Sequence, residues 1–75
     1  MLTLFQRDDC HLCDLALAEL ARARVPEFQS VFIDDQPALE PAYGSRVPVL
    51  REEASGRELA WPFDAATLQA WLAAG

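Results

Sequence analysis

Cys10-His11-Leu12-Cys13 holds the only two cysteines among the 75 residues, and it lies where the apolar run Leu2-Thr3-Leu4-Phe5 gives way to a helical pattern. A C-x-x-C on the first turn of a helix puts both sulfurs at one end of that helix, within reach of each other. The first backbone N–H groups of a helix are unpaired and carry the positive end of its macrodipole. A thiolate placed there is stabilised, so its pKa falls and the sulfur becomes nucleophilic near neutral pH. Thiol–disulfide exchange needs this arrangement: one thiolate attacks a disulfide, and the second sulfur resolves the mixed disulfide.

Three other readings fit a bare C-x-x-C. Zinc would need two further ligands, but no other cysteine exists. The single histidine, His11, sits between the pair, where helical geometry turns it away from their shared side. A purely structural disulfide would close a four-residue loop, which constrains the unfolded chain little. Two ordinary buried cysteines remain the plainest alternative, since free Cys is often a core residue. Placement at a helix start favours redox chemistry over all three.

Size and composition narrow the field. A chain of 75 residues is expected to form a single domain over 1–75, burying roughly 60% of its unfolded surface. An apolar fraction of 52% suffices for one core and argues against disorder. No apolar run approaches the roughly 18 residues of a membrane span. The N-terminus enters an apolar strand directly, without a basic region or cleavage site, so secretion is not expected. A reducing, cytoplasmic setting follows, in which a C-x-x-C is catalytic more often than structural. Twelve acids face six arginines, with no lysine, for a net charge of −6. Nucleic-acid binding, which needs a basic patch, is disfavoured. Glutathione, itself net negative, is mildly disfavoured unless arginines gather near the cysteines.

Around the cysteine pair, the chain reads βαβαββα. Leu2 to Phe5 is a strand bounded by Gln6-Arg7-Asp8-Asp9, with Asp9 suited to cap the helix that follows. From Cys10 to about Arg24, Cys13, Ala16, Leu17, Leu20 and Ala21 share one stripe, while Asp14, Ala18 and Arg22 lie elsewhere. Leu15 lies opposite the stripe. Val25-Pro26 stops the helix. Phe28 to Ile33 is a second strand, and a strand–helix–strand of this length implies parallel pairing by a right-handed crossover. Gln36 to Tyr43 holds two prolines and hence only a short helix, capped by Gly44. Val47 to Leu50 is a third strand and Arg57 to Trp61 its antiparallel partner after a turn at Glu53 to Gly56. Asp64 caps a last helix whose Leu68, Trp71 and Leu72 share a face.

This order, with C-x-x-C opening the first helix and Val47-Pro48 starting the third strand, resembles the glutaredoxin family of the thioredoxin fold. It looks closest to a small glutaredoxin-like branch carrying a Tyr-Gly-x-Arg-Val-Pro-Val-Leu segment, here Tyr43 to Leu50. The resemblance covers essentially the whole chain. It implies an α/β thioredoxin-like fold, with a four-stranded mixed sheet flanked by helices, and a dithiol oxidoreductase acting as a monomer without metal or flavin. Cys10, nearer the helix start, is then the attacking thiol and Cys13 the resolving one. The resemblance also implies a cis bond at Pro48 beside the cysteines and places a basic residue, Arg7, ahead of Cys10. A free backbone group of Val47 can pair with an extended substrate as an added strand does. Arg46 is a candidate for a substrate carboxylate.

Arg7 lowers a neighbouring thiol pKa and meets anionic substrate, but Asp8 and Asp9 oppose it. The expected Cys10 pKa is therefore only modestly lowered, nearer about 7 than the most acidic thiols. Where glutaredoxins carry a glycine pair, this chain has Trp61-Pro62-Phe63-Asp64-Ala65. The bulky residues fill space that glycines leave open, and Asp64 alone retains a polar contact. Glutathione is thus an uncertain co-substrate, whereas the dithiol chemistry stands. Two further classes remain: a binding module presenting Leu12, Leu15, Trp61 and Phe63 to a protein partner, and a metal- or cluster-bridging dimer using Cys10 from each subunit.

Overall fold

The computed structural model describes all 75 residues. Its elements are β1 (Leu2–Gln6), α1 (His11–Arg22), β2 (Phe28–Phe32), α2 (Glu40–Tyr43), β3 (Val49–Glu52), β4 (Glu58–Ala60) and α3 (Ala65–Ala74). Two short 3-10 turns, Ile33–Asp35 and Pro37–Leu39, join β2 to α2. The sheet order is β2-β1-β3-β4, with β1 parallel to β2 and antiparallel to β3, and β3 antiparallel to β4.

Every residue of β1 is buried, because this strand is flanked on both edges and covered on both faces. Alternation sorts its side chains. Leu2 and Leu4 enter a cluster with Ala16, Leu20 and Ala23 from the α1 segment, Leu50, Phe63 and Leu68. Phe5 turns the other way, onto Ile33, Tyr43 and Val49. The helices α1 and α3 therefore cover one face, while the short α2 segment covers the other. No helix is long and apolar enough to cross a membrane.

Several boundaries differ from the sequence reading, each for a local reason. Helix α1 starts at His11 because Cys10, in extended conformation (φ −114°, ψ 103°), serves as the N-cap. Asp9, expected in that role, instead adopts φ +51°, a left-handed turn that Asp tolerates better than most residues. Ala21 is exposed and Ala23 buried, which moves the stripe's end. The helix closes before Val25-Pro26: the Val25 N–H bonds to the Leu20 carbonyl and the Arg24 N–H to the Ala21 carbonyl, both at 3.1 Å. This is a Schellman closure with Arg24 at φ +55° in the position glycine usually takes.

Strand β2 ends at Phe32, and Ile33, although 1% exposed, belongs to the 3-10 turn. Strand β3 begins at Val49 rather than Val47. The Val47 N–H bonds to the Tyr43 carbonyl at 3.0 Å, and Pro48 has no N–H to offer a ladder. Gly44 ends α2 with φ −54°, so left-handed freedom is not its use; a Cβ there would press into Glu40.

Candidate active site

The N-terminus of α1 is organised around sulfur. Cys10 Sγ accepts the backbone N–H of Cys13 at 3.1 Å, and the Cys10 carbonyl accepts that of Asp14 at 3.1 Å. Cys10 and Cys13 form a disulfide, with Cα atoms 5.1 Å apart. The two sulfurs are unequally placed: Cys13 is 1% exposed on the core-facing side of α1, while Cys10 is only partly covered. A cavity of about 470 Å³ opens beside Cys10, between the first turns of α1 and the β1–β2 edge of the sheet.

The loop that delivers Cys10 is tied down. The Asp8 N–H bonds to Asp34 Oδ1 at 3.0 Å, linking it to the turn after β2. Register places the Val47-Pro48 segment at the same end of the sheet. Phe5 pairs with Val49 in the antiparallel β1–β3 ladder, so one further step sets Pro48 beside Gln6, four residues before Cys10. Pro48 is fully buried, its bond to Val47 is cis, and its carbonyl accepts the Trp61 N–H at 3.1 Å. Trp61-Pro62 is cis as well, which no signal in the sequence separated from an ordinary loop proline.

Other residues singled out in the sequence are differently occupied. Arg7 borders the Cys10 cavity, but its guanidinium donates to Glu40 Oε1 and to the Gly44 carbonyl, both at 2.9 Å. It is thus an anchor for α2 rather than a free cation. Arg46 donates to the Ala42 carbonyl at 3.1 Å and to Glu58 Oε1 at 2.9 Å, and lies over the Tyr43 ring. The Val47 N–H is engaged as described above, and its carbonyl accepts no bond from the protein. Asp64 caps α3: its Oδ1 accepts the Thr67 N–H at 2.8 Å, the main cause holding its carboxyl below the usual carboxylate range.

The apolar patch expected around Leu12, Leu15, Trp61 and Phe63 is not continuous. Leu12 and Leu15 are exposed, but Phe63 is 6% exposed and belongs to the core, with Trp61 edge-on against it at 5.1 Å. Phe63 joins Leu2, Leu4, Leu20 and Leu68 in the core on the face of the sheet covered by α1 and α3.

A polar cluster behind Val47-Pro48 escaped the sequence reading, because its members are far apart in the chain. Tyr43 stacks on Phe5 at 4.1 Å and donates its hydroxyl to Glu58 Oε2 at 2.6 Å. Arg51 donates to the Tyr43 hydroxyl at 2.7 Å and lies over the Phe5 ring at 4.7 Å. The Tyr43 carbonyl receives the N–H groups of both Arg46 and Val47. Tyr43 therefore fixes the turn that leads into Pro48.

The Tyr43 hydroxyl, then Arg46, hold the Glu58 carboxyl below the ordinary carboxylate range, and burial, aided by Glu58, raises Tyr43. A carboxyl whose folded pKa is depressed contributes stability that is present above its unfolded value, about 4.3, and is lost as pH falls through the folded value. The urea midpoint is therefore expected to hold from neutrality down to about pH 5 and to decline below it. Glu58→Gln should lower the unfolding free energy at neutral pH by up to about 1 kcal/mol for this partly exposed group, and the midpoint with it. The gap between the two proteins should then narrow with acidification. A gap unchanged down to pH 3 would contradict the assignment.

A parallel–antiparallel four-stranded sheet, with a C-x-x-C disulfide capping the first helix, defines a thioredoxin-fold chain of the glutaredoxin type. The profile of the glutaredoxin-like domain (DUF836) matches residues 1–73, and the chain belongs to that family. It is similar to the X-ray structure of target protein XcR50 from X. campestris, at 67% identity and TM-score 0.95, covering 100% of this chain and 99% of that one. The solution structure of the same target aligns at 68% identity and TM-score 0.90, over 99% and 94% of the two chains. Protein Ne2328 from Nitrosomonas europaea aligns at 30% identity and TM-score 0.77, over 93% and 87%. No curated protein matches the chain.

Proposed function

We propose that this protein is a dithiol thiol–disulfide oxidoreductase cycling between Cys10/Cys13 dithiol and disulfide. The observation that carries the reading is the disulfide at the tip of α1, with Cys10 accessible and Cys13 covered. In the reduced protein the Cys10 thiolate attacks one sulfur of a substrate disulfide, RSSR. A Cys10–SR bond forms, the S–S bond breaks, and RS⁻ leaves. The Cys13 thiolate, its proton lost to solvent, then attacks Cys10 Sγ and expels the second RS⁻. Two electrons pass to the substrate, two thiols are released, and the protein disulfide is left. A thiol such as glutathione, or an external reductase, returns the pair to the dithiol.

Helix geometry supports the division of roles. The Cys13 N–H that points at Cys10 Sγ, together with the macrodipole, stabilises negative charge on that sulfur. The free carbonyl of Val47, next to Pro48, supports pairing with the backbone of an extended substrate. Arg7, Arg46 and Asp64 enter this reading as supports, through α2, the Tyr43 cluster and α3 respectively. A reducing compartment, the cytoplasm, suits such a cycle.

Equilibration with graded dithiol–disulfide buffers tests the proposal. A pair potential between roughly −300 and −150 mV is expected. A pair that stays reduced in the most oxidising buffer, or fails to reduce any disulfide, would refute it.

A further inference from the structure

We propose that β2 is a self-association edge: a second copy of this chain adds its own β2 antiparallel to Phe28–Phe32, about a two-fold axis at Ser30, and joins the two sheets into one. The proposal is independent of the redox reading, and it replaces the monomer that the family resemblance implies.

Strand β2 forms one edge of the sheet and pairs with β1 alone. Alternate backbone N–H and C=O groups therefore point outward, and no backbone group of a turn or cap bonds to them. Edges of this kind are normally blunted by shortness, a charge, a proline or a bulge. The opposite edge, β4, is three residues long and carries Glu58. By contrast, β2 has five residues, none charged and none proline, in unbroken register with β1. Gln29, Ser30 and Phe32 are exposed along it.

The edge is also self-complementary. Phe28-Gln29-Ser30-Val31-Phe32 has an aromatic ring at each end and a small residue at its centre. Antiparallel pairing about Ser30 sets Phe28 opposite the partner's Phe32 and Gln29 opposite the partner's Val31, and the two-fold repeats each contact. Phe28 and Phe32 share one face of the strand, so an aromatic cross-strand pair flanks the axis on either side. A slip of one residue would lose both pairs.

Charge selects the occupant and its direction. Each copy carries a net charge of −6, so two copies repel unless they meet where charge is absent or opposed. Residues 28–33 carry none. Beyond them stand Arg24 at one end and Asp34 and Asp35 at the other, and neither Arg24 nor Asp35 takes part in an ion pair. Antiparallel pairing carries Arg24 towards the partner's Asp35, whereas parallel pairing would bring the acids of both copies together. Glu27 falls opposite the partner's Ile33 rather than an acid. A five-residue ladder is a small interface, so the dimer is weak and reversible. Ser30 and Phe32 also border the cavity beside Cys10, so the added strand forms part of that cavity's rim.

Sedimentation of the full chain from about 10 μM to about 1 mM tests this. The weight-average mass is expected to rise towards that of a dimer. Ser30→Lys, which sets two ammonium groups against each other on the axis, should weaken association by at least roughly tenfold. Ser55→Lys, in the exposed turn before β4, should leave it unchanged. A second measurement reads the register directly. On the axis the two Cα atoms lie about 4.5–5.5 Å apart, within disulfide range. In a Cys10→Ser, Cys13→Ser background, Ser30→Cys oxidised by diamide should therefore give covalent dimer at least roughly tenfold faster than Ser55→Cys. A monomer mass at every concentration would leave the edge to another protein's strand or to none, and would overturn the proposal. So would association untouched by Ser30→Lys, or equal cross-linking at the two positions.

Discussion

Cys10→Ser is expected to abolish disulfide reduction, lowering the rate by on the order of 10³-fold or more, because the nucleophile itself is removed. Cys13→Ser should behave differently. Its Cys10 can still attack, so a stoichiometric mixed disulfide with the substrate should accumulate and be visible by mass spectrometry. The asymmetry follows from placement, with Cys10 partly accessible at the cap and Cys13 buried at 1% exposure behind it. A loss of fold would not explain such a result, since the disulfide closes only a short loop and constrains the unfolded chain little. Thermal unfolding of both variants should stay close to that of the reduced wild-type protein. The reverse pattern, a trapped adduct in Cys10→Ser and none in Cys13→Ser, would exchange the roles assigned to the two sulfurs.

The second large effect concerns the fold that holds this site. Leu4 is wholly buried at the centre of β1, the strand flanked on both edges, and packs in the cluster with Ala16, Leu20, Leu50 and Leu68. Leu4→Ala should cost about 3–4 kcal/mol, the transfer term plus the cavity left behind. A domain of this length has only about 4–11 kcal/mol in total. The melting temperature should therefore drop by roughly 15 °C or more, and much of the chain should be unfolded at modest urea. Leu12→Ala, at a 45% exposed position, should shift stability by less than about 0.5 kcal/mol. Comparable losses in the two variants would mean that the core has been wrongly located.

Most of the fold was legible because its signals are local. The apolar run at Leu2 to Phe5, the alanine-rich helix after Cys13 and the Asp64 cap each announce one element through periodicity or a single hydrogen bond. The β1–β2 and β3–β4 pairs follow from the parallel crossover and the hairpin, whereas the antiparallel β1–β3 pairing that joins them has no local signal in the sequence. The disulfide pair was legible for the same reason, its two members being three residues apart.

What escaped depends on partners distant in sequence. Arg7 looked like a free cation beside Cys10, because nothing within a few residues reveals that Glu40 and Gly44 lie against it. Arg46 was similarly taken by Glu58. Phe63 looked like surface because its partners in the core, Leu2, Leu4, Leu20 and Leu68, are brought to it only by folding. Asp9 and Cys10 exchanged capping roles because a sulfur, unlike a carboxylate, is not an ordinary N-cap group.

Exchange at Cys10 near neutral pH requires that the tip of α1 stabilise its thiolate. Ultraviolet titration of the thiolate in reduced Cys13→Ser protein, where Cys10 is the only thiol, measures this directly. A midpoint below the free-thiol value of about 8.5 is predicted; a midpoint at or above that value would contradict it.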